Sequence, residues 1–296
     1  MEEKRVRNSR THQFVLVAAA LGLLGCGDGE DESPIRMPVS LEFGVVVNDQ
    51  ELRCGDQYPD VGDPPVPFSV TDSRFYVHDV ALLHGSLGWL PVELAQGDFQ
   101  RRNLALLDFE DGCGPDGTAE THTTLSGGVL VPGAAEAAGN DPFVGVRFTL
   151  GLPAAENFVD LAKAAPPLDV TGMFWIWQFG YKYLKVDGSS PASGGGINPF
   201  FIHLGASGCP GTNPQAPPAG DCSAPNLAVV ELLDFSPTAG RIVADLGALL
   251  ATSDLSFNTT GTGPGCMSEI GDPECLTLLP RLGIDDEADQ QLFFAE

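Results

Sequence analysis

The chain is poor in positive charge and in the side chains that most often carry out catalysis. Its 296 residues include 15 Lys and Arg against 40 Asp and Glu, with five His and three Trp, and its formal charge is −25. A field of that sign repels nucleic-acid phosphates and anionic lipid headgroups, which excludes nucleic acid as a partner. H-E-x-x-H, P-loop and G-x-G-x-x-G motifs are absent, so no standard catalytic signature predicts an enzyme.

One apolar run stands out, at Phe14–Gly25, directly after a basic leader. It is too short to span a bilayer as a helix and predicts a secretory signal at residues 1–25. The run ends in "LLGC", which resembles the bacterial lipobox and predicts a lipidated Cys26 followed by a flexible acidic tether over residues 26–37. The alternative is an ordinary signal peptide cleaved near Gly25. Removal of residues 1–25 brings the charge to −27.

Six cysteines follow Cys26, an even number that favours disulfides in an exported protein. Proximity favours Cys209–Cys222 and Cys266–Cys275, which leaves Cys54 with Cys113, although six cysteines allow 15 pairings. The alternative is a thiolate metal site. No CxxC pair is present, and the spacings suit loop cross-links better than a zinc site.

Residues 38–296 are predicted to form one mainly β domain. The body is rich in Gly and Pro, and apolar runs of strand length end at Gly, Pro, Asn or Asp. Two patches, 154–165 and 243–255, have a helix-like pattern. These features predict an antiparallel β-sandwich or barrel-like domain with a few short helices, cross-linked by disulfides.

Histidine and tryptophan supply the candidates for metal chemistry. His78 and His203 each lie in the middle of an apolar strand-like run, where a lone imidazole is more often a hydrogen-bonded core residue. Asp79 is expected on the opposite strand face from His78, and His84 and His122 are expected at the surface. If residues 173–185 form a strand, Trp175 and Trp177 lie on one face of it. They could be there as packed core aromatics or as indoles that are oxidised.

Several segments together resemble the MbnP-like copper-binding proteins, the metallo-mystery pair four-Cys family. They are "DSRFYVHDVALL", "NLALLDFEDGCG", "GMFWIWQFGYKYLKVD", "FIHLGASGC", "CSAPN" and "GCMSEIGDPEC", in family order from about Val39 to Leu282. The resemblance implies an exported protein encoded beside a MauG-like dihaem cytochrome c peroxidase, which oxidises a Trp to kynurenine. Copper then binds through histidines and the modified residue.

Carried over to this chain, the resemblance makes His78, His203, Trp175 and Trp177 the candidate copper-site residues. Trp89 is a further candidate for modification, and the motif does not say which Trp becomes kynurenine. The family often has Trp where this chain has Phe99. Neutral imidazoles suit copper, which leads the divalent affinity order. We therefore expect His78 and His203 to share one metal, with an indole in the same pocket.

Two functions remain open from the sequence. The first is a lipid-anchored copper-binding protein facing the periplasm or the cell surface, not itself an enzyme. The second is a non-metal adhesion or ligand-binding β-sandwich lipoprotein whose histidines and tryptophans belong to the core.

Overall fold

Strands dominate the computed structural model, which describes residues 34–114, 120–132, 143–284 and 289–296. The predicted signal peptide, Cys26 and most of the predicted tether lie outside these residues. Ser33–Glu296 forms one compact unit. The prediction of a mainly β, disulfide-linked single domain is confirmed, with a sheet that curls into a half-barrel.

The strands are β1 (Ile35–Val47), β2 (Gln50–Glu51), β3 (Gln57–Val61), β4 (Val66–His84), β5 (Gly88–Leu94), β6 (Gln100–Arg101), β7 (Leu104–Asp108), β8 (Thr124–Val131), β9 (Phe143–Leu150), β10 (Leu184–Pro191), β11 (Ile197–Leu204), β12 (Ala228–Leu233), β13 (Arg241–Asp245), β14 (Gly265–Cys266) and β15 (Phe293–Ala295). The α-helices are α1 (Ala154–Asn157) and α2 (Leu246–Leu250), and 3-10 helices span Leu161–Lys163, Thr171–Met173, Pro273–Thr277 and Pro280–Leu282.

The long strand β4 organises the sheet, because it changes partners along its 19 residues. Its first part pairs with β3 and β10, its middle with β7, and its last part with β9 and β5. From β10 the sheet continues to β11 and β14, and from β5 it continues through β8 and β1 to β13 and β15. Among the described strands, only β1–β13 and β11–β14 pair in parallel.

A cluster of phenylalanines fills the space between the two sides of the curled sheet. Phe43 contacts Phe75 and Phe148 edge-on at ring-centroid distances of 6.3 and 5.7 Å, and Phe293 contacts the same two rings at 5.5 and 5.1 Å. All four side chains are buried. Because side chains alternate along a strand, the neighbours of Phe75 on β4 point to the other face of the sheet.

The helix-like patches are only partly helical. Within 154–165 the chain makes α1 and one 3-10 turn, and a Pro-Pro pair follows at 166–167. Within 243–255, β13 continues to Asp245, whose carboxylate then caps α2 by accepting from the amides of Gly247 (2.8 Å) and Ala248 (3.2 Å). No helix in the described part of the chain is long and apolar enough to cross a membrane.

The predicted strand over residues 173–185 is wrong in its first part. The chain turns back on itself at Ile176–Phe179, and the amide of Trp175 donates to the carbonyl of Gly180 at 3.1 Å. Gly180 has φ +72°, a left-handed conformation that glycine adopts without steric cost. Regular strand structure begins only at Leu184. Trp175 and Trp177 therefore do not share one strand face.

Two of the three disulfides are the ones that proximity favoured, and the third joins the two cysteines that this pairing left. Cys54 pairs with Cys113, Cys209 with Cys222 and Cys266 with Cys275, closing loops with sequence separations of 59, 13 and 9 residues. None of these thiols is therefore free to act as a thiolate ligand.

Candidate functional site

Polar side chains collect on the face of the sheet that points away from the phenylalanine cluster. Lys185 of β10 lies opposite both His203 of β11 and Arg74 of β4. Arg74 in turn lies opposite Asp108 of β7, which bridges to His122. Directly opposite residues project to the same face, so these five form a row across the sheet.

The segment between β9 and β10 covers the part of this face that Tyr76 occupies. The hydroxyl of Tyr76 donates to the carbonyl of Pro167 at 2.9 Å, and that of Tyr181 donates to the carbonyl of Leu168 at 2.5 Å. The two tyrosine rings meet edge-on at 6.1 Å. The cover explains how a polar sheet face comes to be buried.

A buried ion network lies in the row. Asp72 accepts from Arg74 Nε at 2.8 Å and also binds Arg74 Nη2 and Lys185 Nζ. Lys185 Nζ lies 3.1 Å from Asp187, which accepts from His203 Nε2 at 2.6 Å. Burial lowers the pKa of His203, although Asp187 acts in the opposite direction. With Nε2 protonated toward Asp187, neutral His203 carries its lone pair on Nδ1.

His78 has the clearest arrangement for a metal ligand. Its Nδ1 lies 3.0 Å from Asp79 Oδ2, and its buried Nε2 has no hydrogen-bond partner within the described ranges. Burial lowers the pKa of His78, an effect that Asp79 partly offsets, so the ring is neutral near neutral pH. A carboxylate can only accept, so Nδ1 carries the proton and Nε2 keeps its lone pair. The expectation that Asp79 points away from His78 is wrong, because Asp79 has φ +53° and interrupts the alternation.

The strand register argues against the predicted site shared by His78 and His203. His203 lies two strands from Arg74, and His78 is four residues farther along β4. With strands about 4.8 Å apart and about 3.3 Å per residue, the two backbones are about 16 Å apart. Two imidazoles on one ion need nitrogens within about 4 Å of each other, since each bond is about 2.0 Å.

Trp175 is the indole that the structure places beside a candidate histidine. Its ring centroid lies 6.4 Å from that of His203, and it packs over Gly205, where a Cβ would come within 2.6 Å of the indole. Trp175 also lines an open cleft of about 570 Å³ together with Phe179 and Met267. The structure therefore brings one of the candidate indoles beside one of the candidate histidines.

The other two tryptophans lie elsewhere. Trp177 donates its indole N–H to the carbonyl of Phe158 at 2.7 Å. Trp89 stacks under the guanidinium of Arg147 at 4.8 Å and lines a small surface pocket together with Asp79. Neither ring shows a contact with His203 or with the ring of His78 among the described aromatic pairs.

His84 and His122 are not the surface residues that the sequence suggested. His84 is 5% exposed, and its Nδ1 accepts from the amides of Ser86 (3.2 Å) and Leu87 (3.3 Å), so its buried Nε2 carries the proton. His122 is half-buried, and its Nε2 is buried without a partner. Its ring stacks on Phe99 at 4.7 Å, and burial lowers its pKa. Flanking polar residues in "THTTL" gave no sign of this burial.

One group of at least three His, Cys, Asp or Glu side chains has the geometry of a metal site within the described ranges. It comprises Cys54, Glu110, Asp111 and Cys113, with ligand atoms within 4.8 Å of one another. The two sulfurs are bonded to each other, and Glu110 Oε1 accepts from the amides of Gly112 and Gly114 at 2.8 and 2.9 Å. The disulfide and these hydrogen bonds explain why the four side chains lie together, as parts of a cross-linked loop.

Comparisons with known proteins agree with the resemblance seen in the sequence. The model of the MbnP family matches residues 36–268. MbnP from Methylosinus trichosporium has a similar structure, with a TM-score of 0.73 and 28% sequence identity, and the match covers 88% of this chain and 98% of that one. No curated protein matches. Since the family model spans most of the chain, this protein belongs to the MbnP family.

Proposed function

We propose that this protein is an exported copper-binding protein of the MbnP type and not itself an enzyme. The observation that carries the proposal is the His78 imidazole. It is buried and neutral, its Nδ1 is held by a carboxylate, and its Nε2 lone pair has no hydrogen-bond partner among the residues that the structure describes. A buried nitrogen left without a partner is costly unless a ligand occupies it. Copper would supply a Lewis acid that imidazole nitrogen binds well.

His122 and His203 are candidates for copper positions separate from His78, because the strand register puts each of them two strands and four residues away from it. They also differ in how they could bind. His122 offers a buried Nε2, whereas His203 can offer only Nδ1, since its Nε2 is bonded to Asp187. His84 offers no lone pair, because backbone amides occupy its Nδ1. The chain therefore contains three histidines that suit a metal and one that serves as an internal control.

A tryptophan-derived ligand remains part of the proposal, and Trp175 suits it better than Trp177. Trp175 lies beside His203 and borders an open cleft, whereas the N–H of Trp177 is bonded to the backbone. The position at which the family often has Trp is Phe99, stacked on His122. This chain therefore lacks an indole at that position. Oxidation of Trp175 to kynurenine by a MauG-like dihaem peroxidase would open the five-membered ring, so that the indole nitrogen becomes an aniline nitrogen beside a new ketone oxygen.

Export and anchoring are proposed from the sequence. Cys26 and the signal lie outside the described residues, and the proposal is that lipidated Cys26 tethers the domain to a bacterial membrane facing the periplasm or the cell surface. Residues 27–34, which follow Cys26, are acidic and contain no Val, Leu, Ile, Met or aromatic side chain with which to pack.

The test is copper stoichiometry and affinity on protein matured with its dihaem partner. We expect His78→Asn to lose tight binding, because the Asn amide can replace Nδ1–H toward Asp79 but not Nε2. His122→Ala and His203→Ala should leave the copper at His78 in place and report any copper held at those two histidines, and His84→Asn should bind as wild type does. Equal copper in wild type and His78→Asn would refute the proposal. A peptide mass in which one Trp carbon is replaced by oxygen would locate the kynurenine.

A second candidate function, binding of a non-metal ligand, is favoured by the cleft at Trp175. Its volume of about 570 Å³ is within the range of small-molecule sites, and Phe179 and Ile270 on its wall are 51% and 63% exposed. Unmodified Trp throughout the native protein, together with a failure of all histidine variants to change copper binding, would favour this function instead.

A further inference from the structure

The residue after His78 breaks the regular geometry of β4. Asp79 has φ +53°, a left-handed conformation that is uncommon outside glycine, asparagine and aspartate. The pairing of β4 with β9 shifts register between His78 and Ala81. An extra residue of this kind re-aims neighbouring side chains, and such bulges are frequent next to functional sites.

Asn103 holds Asp79 in this conformation through two hydrogen bonds. The amide N–H of Asp79 donates to the carbonyl of Asn103 at 3.2 Å, and Asn103 Nδ2 donates to Asp79 Oδ1 at 2.7 Å. The other carboxylate oxygen, Oδ2, is left to accept from His78 Nδ1 at 3.0 Å. The carboxylate is thus held at both ends, between an amide and an imidazole.

The same strand sets two histidines in opposite tautomers. At His78 the group facing Nδ1 is a carboxylate, which can only accept a hydrogen bond. Nδ1 therefore carries the proton, and Nε2 has a free lone pair. At His84 the groups facing Nδ1 are backbone N–H donors, so Nδ1 accepts their hydrogen bonds with its lone pair. Nε2 of His84 is therefore protonated. Both Nε2 atoms are buried and have no partner in the described part of the chain, but only that of His78 can bind a cation.

We infer that Asp79 and Asn103 are positioning residues that fix His78 as the Nδ1–H tautomer and present its Nε2 to a metal. The inference rests on the proposed function for its metal and on the hydrogen bonds above for its geometry. The Asp79 side chain is 62% exposed, so it acts on the ring mainly through the direct hydrogen bond. A carboxylate bonded to a ligating histidine fixes the ring orientation and raises its basicity, and its loss typically weakens metal binding about 10–100-fold.

The first measurement uses the metal-free protein. Long-range ¹⁵N–¹H NMR of histidine-labelled protein, above the ordinary imidazole pKa, reports which nitrogen of each ring carries the proton. We expect Nδ1–H at His78 and Nε2–H at His84. Asp79→Gly keeps the left-handed backbone without strain and should release His78 into a tautomer mixture, and Asn103→Ala should do so in part. Asp79→Asn, which keeps an acceptor oxygen, should preserve most of the Nδ1–H form.

The second measurement is copper(I) affinity by competition with a chromophoric chelator. Asp79→Gly should bind about 10–100-fold more weakly than wild type. Asp79→Asn should lie between the two, because it keeps an acceptor but loses the charge. Asp234→Gly is the matched control, an exposed aspartate with φ +61° that should leave both readouts unchanged.

The outcomes separate this inference from the proposed function. A wild-type His78 that carries its proton on Nε2 overturns the inference whatever the copper result. A tautomer that changes in Asp79→Gly without any loss of copper affinity also overturns it. Equal copper affinity of wild type and His78→Asn refutes instead the proposed function, which the NMR result does not test.

Discussion

Replacing Asp72 by asparagine tests the buried ion network beneath the polar sheet face. Asp72 binds Arg74 and Lys185, and all three side chains are at most 1% exposed. Asparagine keeps the shape but removes the negative charge, and it has one acceptor oxygen where the carboxylate has two. Asp187, which already accepts from His203, is then the carboxylate that remains beside Lys185. Each of the two buried cations would lose its carboxylate partner Asp72, which leaves Lys185 with Asp187 and Arg74 with the charges of Asp108 and Glu110.

The expected cost follows from this burial. Breaking a buried ion pair by removing one partner costs about 3–5 kcal/mol, since the remaining charge stays desolvated. The matched control is Glu93→Gln, which removes the acid from the Arg36–Glu93 pair, where the side chains are 49% and 54% exposed. An exposed pair contributes about 0–1 kcal/mol, because water already screens it.

Urea unfolding of the oxidised protein measures both variants. For a slope of about 2–3 kcal/mol per M, Asp72→Asn should lower the midpoint by about 1–2 M, and Glu93→Gln should change it little. A loss for Asp72→Asn no larger than that for Glu93→Gln would show that the network does not stabilise the fold. A changed slope would point to a different unfolded or native state, and the comparison would then use calorimetry.

Three further predictions concern the anchor, the cross-links and pH. Cys26→Ser should move the protein from the membrane fraction to the soluble exported fraction, and unchanged fractionation would refute lipidation. Replacing Cys54 and Cys113 together by alanine should lower the free energy of unfolding by about 4 kcal/mol, and replacing Cys209 and Cys222 together should lower it by about 3 kcal/mol. The difference arises because closing the larger loop restricts the unfolded chain more. Denaturation of both variants checks the order. The three histidines with lowered pKa bind fewer protons when folded than when unfolded. The free energy of unfolding should therefore fall as pH drops below 6.5 and recover above it. Urea titrations at several pH values would show this.

Local features of the sequence determined the fold class and the cross-links. Alternating apolar residues and frequent Gly and Pro predicted strands joined by turns, because alternation is a property of the strand itself. The short separations of Cys209–Cys222 and Cys266–Cys275 favoured these pairs, which left Cys54 for Cys113. The family motifs could also be read directly, since they are contiguous segments of the chain.

The arrangement of the site depended on tertiary structure. The sequence placed Asp79 on the wrong face of β4, because its left-handed backbone depends on Asn103, 24 residues away. It expected His78 and His203 together, but their separation depends on the register of β4, β10 and β11, which no local pattern encodes. Trp175 meets His203 only because the aromatic segment turns back at Gly180 instead of continuing as a strand. Residue types that can bind a metal are visible in a sequence, whereas the direction in which each nitrogen points is decided by hydrogen bonds between distant segments.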